Sequence, residues 1–253
     1  MSAFPFTRLH EEGVLDKAKK QPVVNEDVQA ILVNHHLLAD DLIARTFQTA
    51  SSQMPDAIIL VSPNHFQNGS KPFLTTSKNW QTSFGPVRSD SVHVQALATL
   101  QYFADDEGPF YTEHGVYNIM PFIAATYPGV PVIPIIVKDN VPIEVAREMA
   151  KMIDRRTLPN TLVIGSFDFS HYISESEAQE KDARSLKVLQ ALDSTKASEV
   201  TVDSQAGIAL FLELSRLRGA GRFHLIDRDS SAQRFPSAAA EENTSYIVGF
   251  FSR

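Results

Sequence analysis

The sequence predicts an α/β protein with a mixed, mostly parallel central sheet and helices on both of its faces. Three short apolar stretches carry this prediction, at residues 28–34, 57–62 and 161–166. Each is too short for a helix, is rich in β-branched residues and runs into polar residues, as buried strands do. Amphipathic segments of helical period separate the stretches, which is the pattern of parallel strands joined by crossover helices.

Length and composition are those of a single domain. The chain has 253 residues, of which 43% are apolar and 21% charged, and an α/β domain of this length can enclose a pocket. We expect residues 1–26 to form an N-terminal surface segment, with a short helix around residues 11–20. Residues 27–253 are expected to form the α/β domain.

Charge, cysteine content and hydropathy exclude several classes of protein. The net charge of -7 argues against the basic surface that non-specific nucleic-acid binding requires. Cysteine is absent, which excludes disulfides, thiolate ligands and cysteine nucleophiles. No apolar run approaches the roughly 18 residues of a membrane span, and the N-terminus lacks the apolar run of a secretory signal. We therefore expect a cytoplasmic protein without membrane or nucleic-acid partners, and leave open whether it forms a homo-oligomer.

The segments between these stretches complete the predicted order of elements. Short antiparallel strands are expected over residues 67–87, at a sheet edge or over the mouth of a pocket. A helix over residues 90–103 would have Ser89 as its N-cap. Further helices are expected over 37–50, 142–155, 175–192 and 206–214, another begins at 113 and is kinked or interrupted by Pro121, and further strands are expected over 131–137, 222–227 and 245–251. Two prolines in the stretch 131–137 suit the start of a strand better than its middle.

Histidines follow the predicted strands within a few residues. His35 and His36 come after the first strand, His65 after the second and His171 after the strand at 161–166. Open α/β sheets bind ligands beyond the carboxyl ends of their strands, and imidazole is a common ligand for Fe, Zn, Cu and Ni. The repeated arrangement therefore predicts a metal site. A lone histidine more often only makes a local hydrogen bond, and we expect that role for three others, His10, His93 and His224.

Two acid–imidazole pairs could transfer protons. Glu113 and His114 stand at the start of a predicted helix, where the helix dipole favours a neutral imidazole. This pair is either a donor or base in the pocket or a helix cap. Asp168 and His171 are an acid and a base on one loop, which is the composition that general acid–base catalysis needs.

Five short motifs occur in an order and spacing typical of one family. They are Asn34-His35, Pro63-Asn64-His65, Glu113-His114 with Met120-Pro121-Phe122, Pro131-Val132-Ile133-Pro134-Ile135-Ile136-Val137, and Ser166-Phe167-Asp168-Phe169-Ser170-His171-Tyr172. Over about residues 28–252 the chain resembles the Memo-like family, whose bacterial and archaeal members are called AmmeMemoRadiSam system protein B. That family is related in structure to class III extradiol dioxygenases. The resemblance implies a class III extradiol dioxygenase-like fold with a pocket at one end of the sheet.

The resemblance also implies roles for individual residues. His35 and His65 match the two histidine ligand positions, and Asp203 falls at or next to the third. That position is a cysteine in animal Memo proteins and a carboxylate in the dioxygenases. His114 and His171 match the other pocket histidines, and His171 matches the dioxygenase base. The implied cofactor is Fe(II), with Zn or Cu as alternatives, and the implied partners are O2 and a small-molecule substrate.

Three departures from the family pattern bear on the substrate. His35-His36-Leu37 replaces the usual His-Ala-Gly, Phe66 stands where relatives often have a second histidine, and the usual Ala-Gly-Ser-Trp/Phe-Tyr segment near the N-terminus is missing. The expected function is a non-heme Fe(II) oxidoreductase of the extradiol dioxygenase type, acting on a small aromatic or diol substrate. The alternatives are a metal-binding interaction protein without this activity and a Zn-dependent hydrolase, because two imidazoles and a carboxylate also suit catalytic Zn.

Overall fold

The computed structural model describes residues 3–7, 23–51, 53–235 and 243–253, and its largest feature is a mixed eight-stranded sheet. The strands are β1 (Ala3–Thr7), β2 (Val28–Val33), β3 (Ala57–Pro63), β4 (Phe73–Thr75), β5 (Asn79–Thr82), β6 (Gly85–Val87), β7 (Phe103–Asp105), β8 (Val132–Val137), β9 (Thr161–Ser166), β10 (Arg222–Ser230) and β11 (Ser245–Ser252). In the large sheet they are ordered β10-β11-β2-β9-β3-β8-β4-β7. The central strands β2, β9, β3 and β8 are parallel, whereas β11 and β4 pair antiparallel at the two sides of this group. The predicted α/β class with a mostly parallel central sheet is confirmed.

Helices cover both faces of this sheet, as predicted. They are α1 (Asp40–Ala50), α2 (Ser91–Ala98), α3 (His114–Tyr117), α4 (Met120–Thr126), α5 (Ile143–Asp154), α6 (Glu175–Ala191), α7 (Gln205–Leu217) and α8 (Ser231–Arg234). Pro121 lies in the first turn of α4, so it starts a new helix instead of kinking the one that begins at residue 114. None of the helices in the described ranges is long and apolar enough to cross a membrane.

Alternate residues of the central strands belong to two separate hydrophobic clusters, one on each face of the sheet. In β2, Leu32 packs with α5 and α7, whereas Ile31 and Val33 pack with α1 and α4. Strand β3 shows the same alternation, with Ile59 facing the first cluster and Leu60 the second. Because both faces are covered, these strands are apolar throughout, and each buried aliphatic side chain contributes about 1.5–3 kcal/mol. This double burial explains the continuous apolar runs in the sequence.

The predicted helix over residues 90–103 is wrong at both ends. Asp90 is its N-cap in place of Ser89, because the Asp90 side chain accepts a hydrogen bond from the backbone N–H of His93. The helix ends at Ala98, and Phe103 begins strand β7. Phe103 pairs with Phe73 of β4 and stacks on its ring at a centroid distance of 5.1 Å. A cross-strand partner thus overrides a local helical pattern.

The stretch over residues 67–87 divides between two sheets. Strands β5 and β6 pair antiparallel, as predicted, and belong to a three-stranded sheet that β1 joins by parallel pairing with β5. Strand β4 instead enters the large sheet next to its edge strand β7. The strand over residues 3–7 was not predicted within the N-terminal surface segment, and the helix expected around residues 11–20 lies outside the described residues. The predicted boundary at residue 26 stays a prediction.

Pro134 lies in the middle of β8, although the two prolines of this stretch were expected near the start of the strand. The backbone N–H of Val132 donates to Arg88 O, on the side of β8 away from β3. Two residues later, Pro134 faces the same side because strand residues alternate in direction. Pairing with β4 on that side involves only Ile136 and Val137. Strand pairing therefore does not require a backbone N–H at Pro134.

Candidate metal centre

Three adjacent parallel strands deliver polar side chains to one end of the sheet. His35, Asp168 and His65 each stand two residues beyond the last residue of β2, β9 and β3. These strands are neighbours in the order β2-β9-β3, so their carboxyl ends lie side by side. A fourth polar residue, Asp203, comes from the connection before α7 and is tied to the loop after β9. Asp203 N–H donates to Asp168 O at 3.0 Å, and Asp168 N–H donates to Asp203 Oδ2 at 2.9 Å.

The three residues proposed as ligands from the sequence lie together. Oδ2 of Asp203 is 3.4 Å from His35 Nε2 and 3.8 Å from His65 Nε2. The rings of His35 and His65 meet edge to face, with their centroids 5.0 Å apart. Asp168 also approaches the group, with Oδ2 3.5 Å from His35 Nε2. The arrangement is one carboxylate oxygen facing two imidazole nitrogens.

Hydrogen bonds at Nδ1 determine the tautomer of both imidazoles. His35 Nδ1 lies 3.1 Å from Ser166 Oγ, and the Ser166 hydroxyl donates its only proton to Gly115 O at 2.6 Å. Ser166 must then accept from His35, so Nδ1 carries the proton. His65 Nδ1 lies 2.6 Å from Glu113 Oε1, and a carboxylate can only accept. His35, which burial keeps neutral, has its lone pair on Nε2, a neutral His65 has its lone pair there too, and both Nε2 atoms face Asp203.

Burial shifts the pKa values of His35 and Asp203 in opposite directions. Burial lowers the pKa of His35 to about 4, although nearby Asp168 opposes the shift. Burial and the proximity of Asp168 raise the pKa of Asp203 well above its usual value. Buried Asp203 Oδ1 has no hydrogen-bond partner among the described residues. A cation would stabilise the ionised carboxylate and occupy the lone pairs of the imidazoles, so the donor set suits a metal ion.

His114 adds a third imidazole to the cluster. Its ring stacks on that of His65, with centroids 4.1 Å apart and an interplanar angle of 30°. Ligand nitrogens of His35, His65 and His114 all lie within 4.8 Å of one another. Burial and the neighbouring His65 lower the pKa of His114. The Glu113 side chain also caps α3 by accepting from Gly115 N–H, so the capping role is observed, whereas the role of this pair as a donor or base in the pocket stays a prediction.

Two further histidines have partners outside the trio of His35, His65 and His114. His36 Nδ1 lies 2.7 Å from the hydroxyl oxygen of Tyr246. His171 forms a backbone bridge with Thr244, and burial lowers its pKa while Asp168 opposes the shift. The residues expected to be structural have local partners, because His93 bonds Asp90 and His224 bonds Ser252, while His10 lies outside the described residues.

Several residues that organise the site could not be recognised from the sequence. Ser166 and Gly115 orient His35, as described above, and the Asn118 amide donates to His35 O at 3.0 Å. All three act from other elements than the one that carries His35. A hydroxyl at the end of a strand and a glycine in a helix are too common to point to such contacts.

Comparison with known proteins identifies the family. A family model described as Memo-like protein matches residues 12–247. The chain belongs to the Memo-like family. The resemblance inferred from the five motifs is thereby confirmed, and the histidine cluster at the end of the sheet is that of a Memo-like protein.

Archaeal relatives resemble this Memo-like protein over different lengths. A MEMO1 family protein of Methanopyrus kandleri is 30% identical over 62% of this chain and 57% of its own length. One from Caldivirga maquilingensis is 29% identical over 55% of this chain and 50% of its own. Another, from Pyrobaculum arsenaticum, is 25% identical over 96% of this chain and 90% of its own. The chain thus spans about half the length of the first two relatives.

A solved structure shares the fold. The crystal structure of an uncharacterized protein from Escherichia coli K12 superposes with a TM-score of 0.52 and covers 87% of this chain and 99% of that one. The two sequences are 14% identical, so the likeness concerns the fold alone.

The lowered pKa of His35 predicts an acid-sensitive contribution to the stability of the metal-free Memo-like protein. The pKa is about 4 in the folded state, against the ordinary histidine value of 6.5 in the unfolded chain. The unfolded chain therefore binds more protons between these values, and stability falls as the pH is lowered from 6.5 towards 4. Between pH 7 and pH 4.5 the loss attributable to His35 is on the order of 2–3 kcal/mol.

Urea unfolding of the metal-free protein at both pH values measures this contribution. Wild type and His35→Gln are compared, because other groups titrate in the same window and cancel in the difference. The free energy of unfolding of wild type should fall by about 2–3 kcal/mol more than that of the variant. An equal fall in both proteins would show that His35 is not neutral and buried in the folded state.

Proposed function

We propose that this Memo-like protein is a non-heme oxidoreductase of the extradiol dioxygenase type, with Fe(II) held by His35, His65 and Asp203. The supporting observation is the convergence of two imidazole Nε2 lone pairs on one buried carboxylate oxygen, at 3.4 and 3.8 Å. Donors that share one ion at about 2.1 Å lie about 3.0–3.4 Å apart, so the separation of His35 from Asp203 falls within this range and that of His65 from Asp203 is somewhat wider. Two imidazoles and one carboxylate are the ligand set of non-heme Fe(II) oxygenases, which leaves positions for a substrate and O2.

His35, His65 and Asp203 would hold the iron, and the chemistry it would supply is the redox coupling between O2 and a chelated substrate. The proton transfer falls to the chain itself. Burial keeps the pKa values of His114 and His171 below their usual value, so both rings are neutral near pH 7 and can accept a proton from a substrate hydroxyl. Asp168 favours the protonated form of His171 and so stabilises the charge that this transfer creates. Asp168 also accepts a hydrogen bond from His35 N–H at 3.1 Å, which holds the first imidazole in place.

Exposed aromatic rings follow two of the histidines and favour a small aromatic substrate. Phe66 comes directly after His65 and is 54% exposed, and Tyr172 comes directly after His171 and is 74% exposed. Tyr172 and Gln67 both have a positive φ, of 59° and 54°, which is uncommon for residues with a side chain. Uncommon backbone of this kind concentrates at ligand-binding sites. The rings offer apolar surface for stacking with a planar substrate.

A second candidate is a Zn-dependent hydrolase, favoured by the three imidazoles of His35, His65 and His114. Their ligand nitrogens lie within 4.8 Å of one another, and three histidines with one open position also form a catalytic Zn site. Cu is a further candidate for an imidazole-rich site. A metal centre of either kind without turnover would leave a metal-binding interaction protein.

Anaerobic loading with Fe(II), followed by catechol and air-saturated buffer, tests the proposal. We expect O2 uptake together with the absorbance of a ring-opened product. His171→Ala should retain its iron and lose about 10²–10⁴-fold in turnover, the contribution of a general base. His224→Ala, whose ring is held by Ser252, is the matched control and should behave like wild type.

Other outcomes assign the site differently. Loss of iron in His171→Ala would make that residue a ligand, and unchanged turnover would remove it from proton transfer. Iron binding without O2 uptake, combined with ester hydrolysis by the Zn form, would favour the hydrolase. Neither activity in a protein that binds metal would favour the interaction protein.

A further inference from the structure

The two imidazoles proposed as ligands are anchored by chemically different groups. His35 Nδ1 faces a hydroxyl, Ser166 Oγ, at 3.1 Å. His65 Nδ1 faces a carboxylate, Glu113 Oε1, at 2.6 Å. A hydrogen bond to an ionised acceptor is shorter and about twice as strong as one between neutral groups. His65 is therefore held more firmly than His35.

Glu113 is itself fixed by further hydrogen bonds. Its Oε2 accepts from His65 N–H at 2.9 Å, and its Oε1 accepts from Gly115 N–H at 3.0 Å. The side chain is 1% exposed, so water does not compete for these donors. Backbone donors on both sides of the carboxylate leave it no freedom to rotate away from the imidazole. Glu113 thus connects the loop after β3 to the start of α3.

We propose that Glu113 is a positioning residue that holds His65 in its Nδ1–H tautomer and strengthens Nε2 as a metal donor. Carboxylates that accept from a ligating imidazole orient the ring and raise its basicity, and their removal costs about 10–100-fold in metal affinity. The claim about metal affinity rests on the proposed function. The claim about the tautomer concerns the metal-free chain and stands without it.

Glu113→Gln tests the proposal because an amide cannot satisfy all of these donors. If the amide oxygen takes the place of Oε1, its NH₂ group faces His65 N–H, which is also a donor. If the amide is reversed, its NH₂ group faces His65 Nδ1, which must then accept and leave the proton on Nε2. Either orientation weakens Nε2 as a ligand or displaces the ring. Glu107→Gln is the matched control, since Glu107 lies on the same connection and pairs with Lys78 instead of an imidazole.

Two measurements report the effect of Glu113→Gln on His65 and on metal binding. The first is the ¹⁵N spectrum of histidine side chains in the metal-free protein, with the His65 signals assigned by their absence from His65→Ala. We expect the Nδ1–H form of His65 in wild type and in Glu107→Gln, and a shifted tautomer ratio in Glu113→Gln. The second is titration with Zn²⁺, for which Glu113→Gln should bind about 10–100-fold more weakly. The same substitution in a His65→Ala background should add no further loss.

Several results would overturn the proposal. One is His65 in the Nε2–H form in wild type, which decides the matter even if Glu113→Gln fails to fold. Another is a Zn²⁺ affinity of Glu113→Gln within about twofold of wild type. A loss that persists in the His65→Ala background would show that Glu113 acts only on the stability of α3. Absence of O2 uptake would count against the proposed oxidoreductase and leave the tautomer result unaffected.

Discussion

His65→Ala is expected to remove the bound metal from the purified protein. The substitution deletes one of two imidazoles whose Nε2 atoms face Asp203 Oδ2, here at 3.8 Å. It also leaves Glu113 Oε1 without its Nδ1–H donor, which was 2.6 Å away. Complete protein sites bind ions such as Zn²⁺ with about 10–16 kcal/mol, so losing one of three donors should weaken binding at least about 100-fold. Elemental analysis should show the metal content per chain falling to near zero.

His93→Ala is the matched control for this measurement. His93 bonds Asp90 at the start of α2 and is not part of the imidazole cluster, so this variant should retain its metal. Unchanged metal content in His65→Ala would contradict the proposed centre. The same analysis of Asp203→Asn and His114→Ala identifies the third donor. If the ligands are His35, His65 and Asp203, the metal content should fall further in Asp203→Asn. A larger loss in His114→Ala would indicate the three-imidazole set.

Gly115→Ala is expected to destabilise the protein and distort the site, although alanine is the better helix former. A Cβ atom at this position would lie 2.1 Å from Ser62 Oγ and 3.3 Å from His35 Nδ1. Helix propensity favours alanine over glycine by about 1 kcal/mol. Overpacking a close-packed interior costs about 1–3 kcal/mol, and here both partners are buried. The 2.1 Å approach to Ser62 Oγ puts the overpacking cost at the upper end of this range, so we expect a net loss of about 2 kcal/mol in the free energy of unfolding, or about 4–8 °C in Tm.

Two variants separate the steric cause from other effects. In Ser62→Ala the nearest atom is removed, so Gly115→Ala should cost less in that background than in wild type. Gly221→Ala is the control, because a Cβ there meets nothing closer than a backbone atom of Arg253 at 3.9 Å. Thermal and urea unfolding of these proteins measure the difference. If Gly115→Ala lowers the free energy of unfolding equally in both backgrounds, the close approach to Ser62 is not the reason that residue 115 must be glycine.

The strands and the ends that carry chemistry could be predicted from local sequence. Strands that are covered on both faces are apolar throughout, so they can be recognised as continuous apolar stretches. Such stretches occur at residues 28–34, 57–62 and 161–166. Each strand ends at a polar group, and the carboxyl ends of parallel strands meet at one edge of a sheet. That reasoning placed the histidines that follow the strands, His35 and His65 among them, at one edge of the sheet without knowledge of distances. Phe103 could not be predicted in this way, because its strand depends on pairing with Phe73.

The sequence by itself determined the fold class, the edge of the sheet where polar residues collect and the presence of imidazoles there. Only the tertiary structure decided how those imidazoles are oriented. Glu113 reaches His65 from 48 positions away, and Ser166 reaches His35 from 131 positions away. Such bonds depend on strand register and on the close approach of α3 to β3, to which distant parts of the chain contribute. A local pattern records which residues are present at a strand end, whereas packing determines which nitrogen carries the proton.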